Sequence, residues 1–379
     1  LKTKIIRIDP EHIDEEAVRE AGEIIKRGGL VAFPTETVYG LGGDALNPEA
    51  SKKIYASKGR PSDNPLIVHI ADMEHLEPIV KEVPEKARLL ASKWWPGPLT
   101  MIFNKTDLVP YETSGGLDTV AVRFPNHPLA LAFIRASGGY IAAPSANTSG
   151  RPSPTTAQHV AEDLDGRIDM ILDGGEVRIG LESTIVDFTE GVPTILRPGY
   201  INQEMLSDIL GEVKMDPGIQ SENEHIRPKA PGMRYRHYAP KAQLLIVEGP
   251  KDAVVEKINE LASADRQQKK KVGVIAAEET ASFYEADDVR DIGSRSEDKE
   301  IARNLYAVLR SFDEDGVDVI YSESFETPRM GQAIMNRLLK AAGHRVIGAQ
   351  AAPSKYHEAS SKGGNNGKSS DHGSSADPA

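Results

Sequence analysis

Apolar positions along the first 200 residues alternate between two periods. Ala17, Val18, Ala21, Ile24 and Ile25 recur at helical spacing and predict a helix over 14–29, stopped by Gly28-Gly29. A short apolar run over 30–33, closed by Pro34, predicts a buried strand, and the Gly-rich stretch 35–43 predicts a loop. A helix over 48–57, with Pro48 in its first turn, delivers Lys58 and Arg60 just beyond its end. The run PLIVHI predicts a strand over 65–70, and helices follow over 72–80 and 84–95. Strands are expected over 99–103 and 119–124, a helix over 128–137 and a strand over 140–143. Thr155 or Thr156 caps a helix running to Leu164, and strands follow over 168–172, 184–188 and 194–196.

The pattern breaks at 201–241, a polar, Pro-rich stretch that reads as a linker. Its last ten residues, PGMRYRHYAP, carry more aromatic and cationic side chains than a spacer needs. Regular alternation resumes at 243. Strands over 243–248, 272–277, 288–292 and 317–321 interleave with helices over 252–262, 297–311 and 330–342, which implies a parallel sheet covered on both faces. From about residue 350 the chain is Ser, Gly, Asn and Lys, and disorder is expected over 349–379. The organisation is thus α/β in two units, 14–200 and 242–348, joined by 201–241.

A chain of 379 residues fits two domains, and 39% hydrophobic with 27% charged residues fits a globular protein. The net charge of −12 argues against a surface that coats nucleic acid, although a local basic cleft stays compatible with it. There is no cysteine, which excludes disulfides, thiolate zinc sites and cysteine nucleophiles. No apolar run is long enough to span a bilayer, and residues 1–10 lack the apolar core of a signal peptide, so a cytoplasmic protein without membrane partners is expected.

Two short segments carry candidate chemistry. Ser57-Lys58-Gly59-Arg60-Pro61 sets a mobile point charge and a planar guanidinium on one turn, suited to phosphate oxygens. The same cations would also suit a plain helix C-terminus. Pro144-Ser145-Ala146-Asn147 places a hydroxyl and an amide after a strand, where ligand-contacting groups project in α/β sheets, yet Pro, Ser and Asn are also ordinary turn formers. His69 inside an apolar strand reads first as a hydrogen-bonded core residue, and Arg123 at the end of TVAVR as a carboxylate binder or a surface ion pair. Gly40, Gly42 and Ala45 match a dinucleotide fingerprint only weakly. The P-loop-like run 363–369 is one residue too short and follows no strand.

Taken together, FPTETVYGLG (33–42), SKGRP and NPLIVHI (57–70), WWPGPLT (94–100), SGG and DTVAVRFPNHP (114–128), APSANTSGRPSPT (143–155), ILDGG (171–175), ESTIVD (182–187) and ILRPG (195–199) resemble the YrdC family, in particular its two-domain threonylcarbamoyl-AMP synthases. PGMRYRHYAP and the α/β unit after it resemble the longer members. The resemblance implies a twisted mixed sheet with helices and a concave cleft, followed by a smaller Rossmann-like αβα unit. It implies a reaction of L-threonine, bicarbonate or CO2, and ATP, giving threonylcarbamoyl-adenylate and pyrophosphate. Other proteins then pass the threonylcarbamoyl group to tRNA, so contact with tRNA is expected to be indirect.

Residue by residue, the resemblance places Lys58, Arg60 and Asn64 on the phosphates. Ser145 and Asn147 hold the nucleotide and the reactive intermediate, and Thr119, Ser153 and Arg197 touch ATP. Thr37, His69, Arg123, the backbone of Ala143, and Ser183 fall at the threonine, with Arg123 on its carboxylate. His237 and its neighbours form a lid. Mg2+ is expected with ATP, carried by phosphates and water rather than by protein ligands. Two other readings stay open: a protein that binds double-stranded RNA or tRNA without chemistry, and a carbamoyl-transferring relative, whose zinc-binding cysteines this chain lacks.

Overall fold

The computed structural model describes residues 2–219, 228–233 and 237–350. Its first unit begins with β1 (Lys4–Arg7), α1 (Glu15–Lys26), β2 (Val31–Phe33), β3 (Gly40–Asp44), α2 (Pro48–Lys58) and β4 (Ile67–His69). It continues through α3 (Glu85–Trp94), β5 (Leu99–Asn104), β6 (Thr119–Arg123), α4 (Pro128–Ala136), β7 (Ile141–Ala142) and α5 (Ala157–Leu164). It closes with β8 (Met170–Asp173), β9 (Thr184–Asp187), β10 (Thr194–Arg197), α6 (Gln203–Leu210) and β11 (Lys214–Met215). These strands form one mixed sheet in the order β1-β8-β2-β3-β7-β4-β6-β5-β9-β10-β11. The second unit holds β12 (Gln243–Glu248), α7 (Lys251–Gln267), β13 (Val272–Ala276), β14 (Asp288–Asp291), α8 (Asp298–Glu314), β15 (Val319–Glu323), α9 (Gly331–Ala341) and β16 (Val346–Gly348). Its five strands pair in parallel, in the order β14-β13-β15-β12-β16.

Local chemistry explains the boundaries. Asp14 caps α1 by accepting from the backbone N–H groups of Glu16 and Ala17, and Asn47 caps α2 with Pro48 at its first position. Gly59 ends α2 in the left-handed region at φ +62°. α1 buries Ala17, Val18, Ala21 and Ile25 against Phe133, Ile134 and the β2–β8 face of the sheet. α2 and α3 cover the opposite face, with Ile54, Leu90 and Trp95 in the larger core. In the second unit α7 packs one face and α8 with α9 the other. Each fully buried Leu, Ile or Phe contributes roughly 1.5–3 kcal/mol.

The α/β fold with its second parallel sheet agrees with expectation, and several elements differ from it. Residues 40–44 are strand rather than loop. Gly42 and Gly43 have no Cβ that would press on Ile141, Val31 and Ile54, so packing overrides poor strand propensity. The same packing explains the glycines of the weak fingerprint. Residues 72–80 form two short 3-10 turns, Met73–His75 and Glu77–Ile79, with Pro78 denying an α-helix its hydrogen bond. The segment expected as linker supplies α6, which packs Leu206 and Leu210 into the core, and β11, which extends the large sheet beside β10. The edge strands β1 and β16 had not been expected. The tail expectation lies outside the described residues, apart from 349 and 350.

Candidate active site

The site begins as a row of side chains across the large sheet. β4 and β6 run parallel with His69 beside Arg123, and antiparallel β5 sets Thr100 beside Arg123. Alternation along the strands sends Val68, Val120, Val122 and Met101 into the main core. It leaves Ile67, Ala121 and Ile102 on the cleft face, where they meet Ile185, Leu196 and Ala230. The cleft therefore has an apolar floor and a polar rim at the strand ends.

The rim is built on a rigid turn. Thr35 Oγ1 donates to Val38 O at 2.7 Å and accepts from the N–H groups of Thr37 (3.1 Å) and Val38 (3.3 Å). Arg123 Nη1 donates to Thr37 Oγ1 at 2.9 Å. Arg123 Nη2 lies 2.8 Å from Glu36 Oε2, a buried ion pair. The angle of that contact is too poor for a hydrogen bond, so Nη2 and both Glu36 oxygens have no aligned hydrogen-bond partner among the described residues. A buried donor of this kind is primed for a further acceptor. His69 is 4% exposed, and its Nδ1 sits 3.1 Å from Ile67 O. That contact assigns the proton to Nδ1 and leaves Nε2 as an acceptor. Burial and the charge of Arg123 push the His69 pKa down to about 3, so the ring is neutral at pH 7.

Cations gather opposite. Arg60 Nε and Nη2 donate to Asn64 O (3.3 Å) and Pro65 O (3.1 Å), which fixes the guanidinium in the cavity wall. Burial lowers its pKa to about 10, and it remains charged near neutrality. Arg197 donates from Nε to Ser183 O at 3.0 Å and from Nη2 to Ser183 Oγ at 3.2 Å. Ser183 Oγ in turn meets Thr100 Oγ1 at 2.7 Å. The cavity lies between these groups. Thr37, His69, Arg123, Ala143, Ser145, Ser183, Arg60, Arg197 and His237 all line it, so nine of the residues expected at the site converge.

The other five stand outside the lining. Lys58 is 3% exposed; its ammonium donates to the carbonyls of Ser145 and Asn147, and burial, then Arg60, holds its pKa well below the usual lysine value. It therefore supports the Ser145–Asn147 loop from beneath. Asn147 Nδ2 donates to Thr148 O (2.8 Å) and Arg151 O (3.1 Å). The Oδ1 atoms of Asn147 and Asn64 are buried without a partner among the described residues. Ser153 donates to Glu182. Thr119 lies at the opposite end of β6 from Arg123, about 13 Å along the strand.

The cavity also takes in Thr35, Val38, Gly40 and Glu182, which had no individual assignment, and Pro231, Gly232 and Tyr238 from the segment expected as a lid around His237. Glu182 is the informative one. It is a carboxylate beside cations, held down to about pKa 2 by Arg337 and Arg197 despite burial. It sits in ESTIVD, at a strand edge, and two of its partners, Tyr306 and Arg337, come from the other unit, so local pattern could not assign it. Among the described residues no three His, Asp or Glu side chains are grouped to hold a metal ion.

The fold and cleft define a two-domain α/β protein whose cationic pocket is roofed by its own interdomain segment. The chain belongs to the Sua5/YciO/YrdC family of threonylcarbamoyl-AMP synthases. Residues 23–199 match the family model described as "Telomere recombination", and residues 201–343 match the C-terminal domain of threonylcarbamoyl-AMP synthase. The chain is 52% identical to the threonylcarbamoyl-AMP synthase of Pyrococcus abyssi, over 89% of this chain and 97% of that one. It is 51% identical to the Bacillus subtilis protein of the same name, over 87% and 94%. The solved structure of P. abyssi Sua5 complexed with L-threonine superposes with a TM-score of 0.87 at 50% identity, over 92% of this chain and all of that one.

Proposed function

We infer that this chain joins L-threonine, bicarbonate or CO2, and ATP into threonylcarbamoyl-adenylate and pyrophosphate. The observation that carries the reading is the convergence of Arg123, Thr37 and neutral His69 beside Arg60, Arg197 and Ser145 in one cavity. An amino-acid carboxylate fits Arg123, whose Nη2 awaits an acceptor. The threonine hydroxyl fits Nε2 of His69. A hydroxyl-reading group of this kind rejects valine more strongly than an apolar pocket could.

The chemistry then needs no protein nucleophile. The threonine amine adds to CO2 to give a carbamate and releases one proton. A carbamate oxygen attacks the α-phosphorus, its new P–O bond forms, and the bond to the β-phosphate oxygen breaks to release pyrophosphate. The protein supplies positioning and charge neutralisation. Arg60 and Arg197 are placed for phosphate oxygens. The unpartnered Oδ1 atoms of Asn64 and Asn147 suit donors on the nucleotide or on water around it. Lys58 contributes by holding the Ser145–Asn147 loop and by its proximity to Arg60. Mg2+ enters as part of the ATP substrate. Glu182 already receives Ser153, Tyr306 and Arg337, so it is poorly suited to be a metal ligand. The product feeds a separate transfer to tRNA, in the cytoplasm. No helix among the described residues is long and apolar enough to cross a membrane.

The test is pyrophosphate release from ATP with and without L-threonine and bicarbonate. Release should require both, and Arg60→Ala should cut it at least 100-fold while the protein stays folded. Release indifferent to threonine would sink the reading. RNA affinity with a steep salt dependence and no turnover would favour the binding-only alternative instead.

A further inference from the structure

One part of the cavity wall is held from the second domain. Glu182 accepts from Tyr306 Oη at 3.0 and 2.9 Å and from Arg337 Nε at 2.9 Å, and both donors are fully buried. Arg337 also donates from Nη2 to Glu182 O (3.2 Å) and from Nη1 to Pro198 O (2.6 Å). It thereby grips the start of ESTIVD and the end of ILRPG at once. Those two segments carry Ser183 and Arg197, which are hydrogen-bonded to each other.

The roof rests on the same two side chains. The Tyr238 ring stacks on Tyr306 at 5.3 Å between centroids, and the Arg337 guanidinium lies 5.9 Å from the centre of the Tyr238 ring. Tyr238 belongs to the apolar cluster of the second domain rather than to that of the first. Lys340, one turn beyond Arg337, donates to Gly232 O, and Lys241 N donates to Asp313 Oδ1 at 2.7 Å.

We propose that Tyr306 and Arg337 are positioning residues of the active site, which set the Glu182–Arg197 wall and the Tyr238 roof in one registered arrangement. This rests on the reading that the cavity holds ATP beside threonine. The second domain then completes the site by geometry: a carboxylate with three donors converging on it, Ser153, Tyr306 and Arg337, has one orientation, and the roof can stack only when that orientation is reached. Of the groups assigned to threonine, Ser183 stands on this wall, whereas Thr37, His69 and Arg123 make no hydrogen bond to it among the described residues, so the effect should fall mainly on the nucleotide.

The experiment compares Tyr306→Phe and Arg337→Lys with the unaltered full chain. Tyr306→Phe keeps the stacking ring and deletes the hydroxyl shared between the two Glu182 oxygens; Arg337→Lys keeps charge and loses the fork. Expected results are a KM for ATP raised at least fivefold, a KM for threonine within twofold of normal, and more ATP consumed per adenylate formed. A Glu182→Gln/Arg337→Met pair, which removes both charges of the clamp's own ion pair together, should show the same signature. Normal KM for ATP and normal coupling in these folded variants would overturn the proposal. So would equal rises in both KM values alongside a lowered Tm, the mark of a purely structural clamp. Failure of the underlying reading is separable, because the unaltered protein would then show no threonine-dependent pyrophosphate release.

Discussion

At the scale of single residues, Arg123 shows how a buried ion pair can serve binding. Its guanidinium is split between Thr37 Oγ1 and Glu36, and one donor edge is left without a good angle. Removing Arg123 outright would leave Glu36 charged and unpaired in the interior, a loss of about 3–5 kcal/mol that would confuse binding with unfolding. Arg123→Lys avoids this by keeping the charge. The lysine point charge cannot engage Thr37, Glu36 and a carboxylate together, so KM for L-threonine should rise tenfold or more with KM for ATP nearly unchanged. Steady-state kinetics with each substrate varied in turn checks this; an unchanged threonine KM would remove Arg123 from the amino-acid site. This residue stood out in sequence because a cation ended the apolar run TVAVR. Tyr306 and Arg337 did not stand out, since each sits among apolar helix neighbours and its partner lies more than 120 residues away.

At the scale of elements, the strands and helices with a clean period were legible. α1, α2, β5, β6 and the α/β alternation after 243 follow from spacing alone. What escaped was set by tertiary packing. β3 is a strand because its glycines let β2 and β7 close on either side, and α6 forms where Leu206 and Leu210 pack into the main core, with β11 pairing at the sheet edge beside β10. The roof is a similar case. Gly232 sits at φ +84°, and a Cβ there would lie 3.0 Å from the Tyr238 hydroxyl. Gly232→Ala adds left-handed strain of roughly 1–2 kcal/mol to that contact. It should loosen the roof and raise the fraction of ATP hydrolysed without adenylate, because water reaches a labile mixed anhydride. Adenylate and AMP quantified in one reaction would show it; a variant with native coupling would mean the roof does not exclude water.

At the scale of the whole molecule, acidity should act on both the pocket and the domain junction. Burial holds His69 at about pKa 3 and His127 and His159 at about 4, all below the ordinary value of 6.5. The unfolded chain therefore binds more protons than the folded one between pH 6.5 and these values. The stabilising effect of keeping the rings neutral is complete above pH 6.5 and is lost as pH falls toward 4, by up to about 1.4 kcal/mol per pH unit for each histidine. Glu182 adds a second window. Its pKa falls from 4.5 to about 2, so its contribution is complete above pH 4.5 and is lost as pH falls toward 2. Protonating Glu182 there also uncouples Tyr306 and Arg337 from the cleft. Urea midpoints should thus decline steadily from pH 7 to 4, and His69→Gln should shallow the decline by about one histidine's share. A midpoint flat across that range would mean the three rings are hydrated and that the pocket is more open than its packing indicates.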